Sequence, residues 1–170
     1  MQTDRDNLEL TTIIVFSDSH RDTRRMIKVI NEFKPNTVIH LGDHIDDARK
    51  VKAKFPDTTF HLIKGNSDFI SHGDNELLLA LGELKIFLTH GHEYYVKEDL
   101  SRLSHKAIEL KVDLVLFGHT HKACIVDEKG ITFMNPGQLE HHYNRRKASY
   151  GVVTLAKNNF SCEIIYLPED

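Results

Sequence analysis

The chain has 170 residues, 40% of them hydrophobic, which suits one compact domain with its own core and leaves too little for a second. Its 22 basic and 25 acidic residues give a net charge of -3, and this excludes the broad cationic surface that tracks long nucleic acid by neutralising phosphates. Only two cysteines are present, Cys124 and Cys162, with no Cys-x-x-Cys spacing; this excludes a disulfide scaffold or zinc ribbon and predicts two small buried hydrophobes.

Residues 1 to 11 are polar and acidic and read as a flexible leader ahead of a single domain over 12 to 168. No apolar run approaches about 18 residues, so neither a membrane span nor a signal peptide is expected and the cytoplasm is the default location. Thr12 to Phe16 is β-branched and apolar, a buried strand that breaks into Ser17-Asp18-Ser19-His20. Arg21 to Phe33 carries Met26, Ile27, Ile30 and Phe33 at helical spacing, and Pro35 stops it. Thr37 to Leu41 is the next strand, followed by Gly42-Asp43-His44 and an acidic helix start through Asp46 and Asp47. A third strand, Thr58 to Ile63, runs into Gly65-Asn66-Ser67-Asp68.

Glu76 to Leu81 and Leu84 to Thr89 read as a hairpin around Gly82-Glu83, its second arm ending in His90-Gly91-His92. Val96 to Leu110 is amphipathic, with Leu100, Leu103, Ala107, Ile108 and Leu110 on one side. Leu114 to Phe117 fits a strand buried on both faces, after which Gly118 presents His119 and His121 from the strand's end. Residues two apart in extended chain share a side, so both imidazoles can serve one site while Thr120 points away. Ala123 to Val126, Ile131 to Met134, Tyr150 to Leu155 and Phe160 to Tyr166 are short, turn-separated runs expected to form an antiparallel sheet. The first half is thus βαβ and the second mostly β.

The strand ends collect Asp18, His20, Asp43, Asn66, His90, His119 and His121. Mixed carboxylate, amide and imidazole ligands suit manganese, iron, nickel or zinc, and seven are too many for one tetrahedral ion. Two ions bridged by one carboxylate is the economical arrangement, about 3.5 to 4 Å apart. Ligands at the carboxyl ends of strands also converge where α/β proteins bind substrates.

In their order, Asp18-x-His20, Gly42-Asp43, Gly65-Asn66-x-Asp68, His90-Gly91-His92 and Gly118-His119-Thr120-His121 resemble the signature of the calcineurin-like metallophosphoesterases. The likeness is closest to their small bacterial and archaeal phosphodiesterase branch, which carries Asn-Pro-Gly where Asn135-Pro136-Gly137 stands. It covers residues 12 to about 166 and implies an α/β protein of the metallo-dependent phosphatase fold, a two-sheet β-sandwich flanked by helices in α-β-β-α layers, with a dinuclear site at one edge. Carried over by motif, one ion takes Asp18, His20, Asp43 and His121, and the other Asp43, Asn66, His90 and His119, with Asp43 as the bridge. The implied cofactor is two divalent ions per chain, Mn2+ first, with Ni2+, Fe2+ and Zn2+ as alternatives.

This chain departs from the resemblance at two positions. Many members place a histidine directly after the asparagine, where it protonates a leaving group or holds a phosphoryl oxygen, but Ser67 stands here; the branch often has serine after Asn-Pro-Gly, and here there is Gln138. The expected activity is therefore phosphodiester hydrolysis, with a hydroxide bridging the two ions as nucleophile and Asp43, Asn66 and His92 closest to the chemistry. His92 orients a water or phosphate, or packs behind the ligands. The expected partner is a small phosphodiester or nucleotide, with no long nucleic acid and no membrane; self-association into a homo-oligomer is left open. The competing class is a non-catalytic or weakly catalytic protein-interaction scaffold resembling the retromer sorting subunit, which would be expected to have lost some of the seven ligands. A non-hydrolytic dinuclear oxidase comes third, since nothing specifies redox chemistry.

Of the other polar residues, His44 is expected to cap the following helix, Asp68 to hold a loop or a ligand imidazole, and Asp46 and Asp47 to mark a helix start. His141, His142, Arg145 and Arg146 read as a solvated loop, and His40, His61, His72 and His105 as structural or exposed.

Overall fold

A computed structural model describes residues 10–140, 146–157 and 159–168. The expected leader up to residue 9 and the loop residues His141, His142 and Arg145 lie outside the described residues. The β-branched run near the start forms β1 (Thr11–Phe16), with all four residues from Ile13 to Phe16 buried. Alternation sends Ile13 and Val15 to one face and Ile14 and Phe16 to the other, and both faces are covered. Strands β2 (Thr37–His40) and β3 (Thr59–Leu62) follow it in parallel, linked through helices α1 (Thr23–Phe33) and α2 (Ile45–Lys52).

The hairpin is β4 (Glu76–Leu81) and β5 (Leu84–Thr89), paired antiparallel from Glu76 with Thr89 to Leu81 with Leu84. After a single 3-10 turn (His92–Tyr94) come α3 (Ser101–Leu110), β6 (Leu114–Phe117), β7 (Cys124–Glu128), β8 (Ile131–Asn135), β9 (Ser149–Ala156) and β10 (Asn159–Tyr166). Two five-stranded sheets result, in the orders β10-β9-β1-β2-β3 and β4-β5-β6-β8-β7. Three apolar clusters define the layers. Ile13, Val15, Leu88, Leu116 and Met134 pack between the sheets, Phe16 and Val38 meet α1 and α2 on one side, and Val115 and Phe133 meet α3 on the other. This is the α-β-β-α sandwich.

The last four strands do not make one antiparallel sheet. Met134 and its neighbours on β8 pair in parallel with β6, because the chain returns from β7 through a tight turn at Lys129-Gly130; β9 and β10 cross to the other sheet, β9 lying antiparallel to β1. The helix expected from Val96 begins only at Ser101, whose N–H is accepted by Asp99 Oδ1 at 2.7 Å, a local start signal that outweighs the longer apolar pattern. Ile108 is exposed on it. On α1, Val29 is buried where Phe33 was expected, and Phe33 is exposed beside the end of the helix. Cys124 and Cys162 are half-buried, at the margins of the core rather than inside it.

Parallel pairing has a directional consequence. β1, β2 and β3 in one sheet, and β5, β6 and β8 in the other, all end at the same edge of the sandwich, where Asp18 N–H donates to Gly42 O (3.0 Å) and Gly118 N–H to His90 O (3.1 Å).

Fully buried at this edge, His40 accepts from Gly42 N–H through Nδ1 (3.3 Å) and contacts Ser19 Oγ through Nε2 (3.1 Å). Burial pushes its imidazole down to about 4 against the partial opposition of Asp18, Asp68 and Asp47. Above pH 6.5 the ring is neutral in both folded and unfolded chains; between 6.5 and 4 only the unfolded chain gains the proton, so stability falls as the pH falls. The full loss is about 3 kcal/mol. We expect urea unfolding of the metal-free protein to show a shallower decline between pH 6.5 and 4 for His40→Gln than for wild type, and parallel pH profiles would contradict this.

Candidate metal centre and active site

Six strand ends feed the site, and their backbones are unusually wound. Asp18, His20, Arg21, Asp43, His44, His119 and His121 all have φ between 42° and 75°, the left-handed region that costs a non-glycine residue about 1 kcal/mol or more. Such strain persists only where surrounding contacts over-determine the geometry. Those contacts are present. Asp47, buried in the first turn of α2, accepts from Arg21 N–H at 2.6 Å and from Ser19 Oγ at 3.0 Å, and Ser19 in turn meets His40. The helix-start aspartate is thus also the brace of the Asp18–His20 loop.

The motif glycines are explained by crowding. A Cβ on Gly42 would collide with the backbone of Gly65, one on Gly65 with the Asp43 carboxylate, and one on Gly118 with Ser17 Oγ.

The structure brings together Asp18, His20 and His121 in one group and Asp18, Asp43 and His90 in another, each with its donor atoms within 4.8 Å of one another. Asn66 Oδ1 lies 3.1 Å from His90 Nε2, and the His119 ring centroid lies 5.1 Å from that of His90. All seven sequence-derived ligands therefore gather at one edge. Asp18 belongs to both groups, while Asp43, the expected bridge, stands 3.5 Å from His90 through Oδ1.

Hydrogen bonds fix which nitrogen of each ring faces inward. His90 Nδ1 lies 2.7 Å from Leu41 O, an acceptor only, so Nδ1 carries the hydrogen and Nε2 turns toward Asn66 Oδ1. Gln138 donates through Nε2 to Glu140 O (2.6 Å), so its Oε1 accepts from His121 Nδ1 at 2.7 Å. His121 Nε2 then faces Asp18 Oδ1 at 3.0 Å, and that buried oxygen has no other partner among the described residues. Carboxylate, amide and imidazole donor atoms turned toward one another in a buried site fit a divalent cation between them, and the outer nitrogens of His90 and His121 are held as metal-binding histidines are held. The thiolate-free donor set fits a hard or borderline ion.

The carboxylates and rings are tuned accordingly. Burial alone would raise Asp18, but the His121 contact, with His90 and Ser17, outweighs it and holds the carboxyl at about 2. Burial pushes His119 down to about 4, helped by the charges of His90 and Lys97, and lowers His20 and His92. Burial also acts to lower His121, yet Asp18 and Gln138 prevail and raise it. Glu140 Oε2, 3.8 Å from His20 Nδ1, faces that ring from outside.

The remaining expectations divide. His44 occupies the residue before α2 but its side chain makes no capping bond; the left-handed backbone turns it away, its ring lies 4.9 Å from that of His20, and Asp68 Oδ1 accepts from Ile45 N–H instead. Asp68 also accepts from Gly65 N–H and so holds the Asn66 loop, as expected. His92 stands 5.5 Å from His90 and 6.0 Å from His119 by ring centroids, with its Nδ1 buried and making no hydrogen bond among the described residues. Ser67 donates its N–H to Asp43 Oδ1 and lines a cavity of about 920 Å3 that opens over the site.

A family model for the calcineurin-like phosphoesterase superfamily domain matches residues 12–158. The chain belongs to this superfamily. It is 33% identical over 145 residues to the probable metallophosphoesterase YsnB of Bacillus subtilis, covering 84% of this chain and 83% of that protein. Among solved structures it superposes with a TM-score of 0.77 on a predicted phosphoesterase from Streptococcus pneumoniae, at 29% identity and over 94% of this chain and 91% of that one. It also shares its fold with Vps29 of Entamoeba histolytica bound to zinc, with a TM-score of 0.70, 22% identity, and 92% and 99% coverage. Members of the superfamily bind divalent metals, and the groups just described are this chain's candidate ligands.

Gln138 gives the most direct test of the ring-orientation argument. Removing its amide in Gln138→Ala frees His121 to rotate or change tautomer, and such outer supports are worth about 10- to 100-fold in metal affinity. Calorimetric titration of the metal-free protein with Mn2+ should show that loss; unchanged affinity would mean that His121 needs no orienting partner.

Proposed function

We propose that this superfamily hydrolase is a phosphodiesterase working with two divalent ions, Mn2+ first among the candidates. One ion is assigned to Asp18, His20, Asp43 and His121, the other to Asp43, Asn66, His90 and His119, with Asp43 shared. The observation that carries the reading is the set of donor atoms turned toward one another at Asn66, His90, His121 and Asp18, of which Asn66 and His121 line an open cavity. When bound, the ions supply a water deprotonated near neutral pH and positive charge for the phosphoryl oxygens.

The chain's own residues do the rest. Asp43 and Asn66, both on the cavity wall, hold the reacting end of the substrate in register with the ligands. His119 lies at the same wall, its ring kept neutral by burial and so available as a donor atom. Ser67 occupies the place from which a histidine would protonate a leaving group, and a hydroxyl is a poor acid at pH 7. His92 is assigned a supporting role, close to His90 and His119 but off the cavity wall. Aryl diesters, whose leaving group departs without a proton, are therefore turned over fastest, ahead of diesters and monoesters with alkyl leaving groups.

The scaffold reading shares the fold with Vps29, and because the Entamoeba histolytica protein is itself bound to zinc, turnover rather than metal binding separates the two readings. Asp43→Ala is expected to lose most bound metal by elemental analysis together with nearly all turnover; a variant that keeps two ions and activity would remove Asp43 from the assignment. For the substrate class, kcat/KM should favour an aryl diester over the matching monoester in wild type. Ser67→His should raise monoester turnover by about 100-fold at constant metal content, the lower end of a general acid's contribution of about 10² to 10⁴. A wild type that prefers unactivated monoesters would overturn the diester reading.

A further inference from the structure

The cavity is far larger than the reacting group requires. About 920 Å3 is at the upper end of what ligands the size of a nucleotide or larger occupy, about 300 to 1,000 Å3, and the proposed metal ligands account for only one of its walls. Its lining also includes Val96, Leu100, Phe117 and Cys124. This apolar wall is the end of the cluster beneath α3: Val96 is pinned by its N–H to Gly91 O, Phe117 is 1% exposed, and Leu100 and Cys124 present the accessible part. It is a preformed apolar surface backed by core.

The charge on the cavity's rim is one-sided. Lys97, Lys122 and Arg146 line it, and the only carboxylate among the lining residues is Asp43. Arg146 is tethered by donating to Thr120 O at 3.0 Å, and neither Lys97 nor Lys122 is in an ion pair with a described residue. Lys97 is close enough to His119 and His121 for its charge to act on both rings. A phosphodiester contributes one negative charge, which bound ions would oppose; Lys97 and Lys122 beside the apolar residues call for more negative charge beyond the scissile group. A zwitterionic headgroup would bring a cation into this rim, and a neutral polyol would leave both the wall and the lysines unused.

We propose that the substrate is a nucleotide phosphodiester carrying a second phosphate, with the base or sugar face of one arm against Leu100 and Cys124 and the second phosphate held by Lys97 and Lys122. This rests on the phosphodiesterase reading above. Hydrogen bonds between charged groups and a phosphate are worth about tenfold or more in affinity, and exposed ones weaken with salt.

The test uses the Mn2+-loaded full chain and four substrates: a 5′-phosphorylated dinucleotide, the same dinucleotide without that phosphate, a glycerophosphocholine diester and bis(p-nitrophenyl) phosphate. The phosphorylated dinucleotide is expected to lead the unphosphorylated one by about tenfold in kcat/KM, less at 0.5 M salt. Lys97→Ala and Lys122→Ala should each shrink that ratio several-fold, while Lys106→Ala on the outer face of α3 leaves it unchanged. Calorimetry should show a nucleoside 3′,5′-bisphosphate binding about tenfold tighter than the monophosphate, with the difference reduced in the same two variants. Equal kcat/KM for the two dinucleotides, or lysine variants that leave the ratio intact, would overturn the subsite while cleavage of bis(p-nitrophenyl) phosphate upholds the phosphodiesterase reading. Failure to cleave any of the four overturns both.

Discussion

Burying Asp18 is the constraint on which the rest of the structure turns. Its carboxylate is inaccessible to solvent, and an isolated charge so placed is expensive. Compensation comes from every side: Ser17 Oγ and His119 N–H donate to one oxygen, at 2.6 and 3.2 Å, and His121 faces the other. One oxygen is satisfied by protein donors, and the other is left as a candidate metal donor. Folding therefore prepares the site before any ion arrives, and the ion's own binding energy is available to stabilise the folded chain.

The preparation follows from topology. Parallel strands deliver their carboxyl ends to one edge, and because both sheets contain parallel strands pointing the same way, the loops of one sheet can hydrogen-bond the loops of the other. Asp18 and Asp43 come from the first sheet, His90, His119 and His121 from the second, so the site is a seam between the two. Movement of one sheet against the other would separate the ligand groups. The wholly buried layer between the sheets, from Ile13 to Met134, resists that slip, linking core packing to the chemistry at the edge.

The candidate ligands were legible in the sequence because each motif sits directly after an apolar strand, although the backbone at Asp18, His20, His119 and His121 is left-handed rather than the extended chain that alternation assumes. What supports them was not. Gln138 read as a departure from the family's serine, and its use became visible only when the β8 loop was placed beside the β6 loop, where its amide fixes His121. Asp47 read as an ordinary helix start; its second role as the brace of a strained loop 26 residues away depends on the α2 packing angle. His44 met the positional rule for a cap, but its left-handed backbone turned the side chain elsewhere. Strand pairing failed for a similar reason: a run such as Ile131–Asn135 carries no mark of whether its neighbour is parallel, so the crossing of β8 to β6 is a tertiary outcome.

The central claim is that the edge holds two cations on seven side chains of this chain. A crystal soaked in Mn2+ and measured at an energy where manganese scatters anomalously tests it directly. The account predicts two peaks about 3.5 to 4 Å apart, one reached by Asp18, His20 and His121 and the other by Asn66, His90 and His119, with Asp43 between them. A single peak, or peaks that leave the Asn66 and His90 side empty at saturating metal, would contradict it.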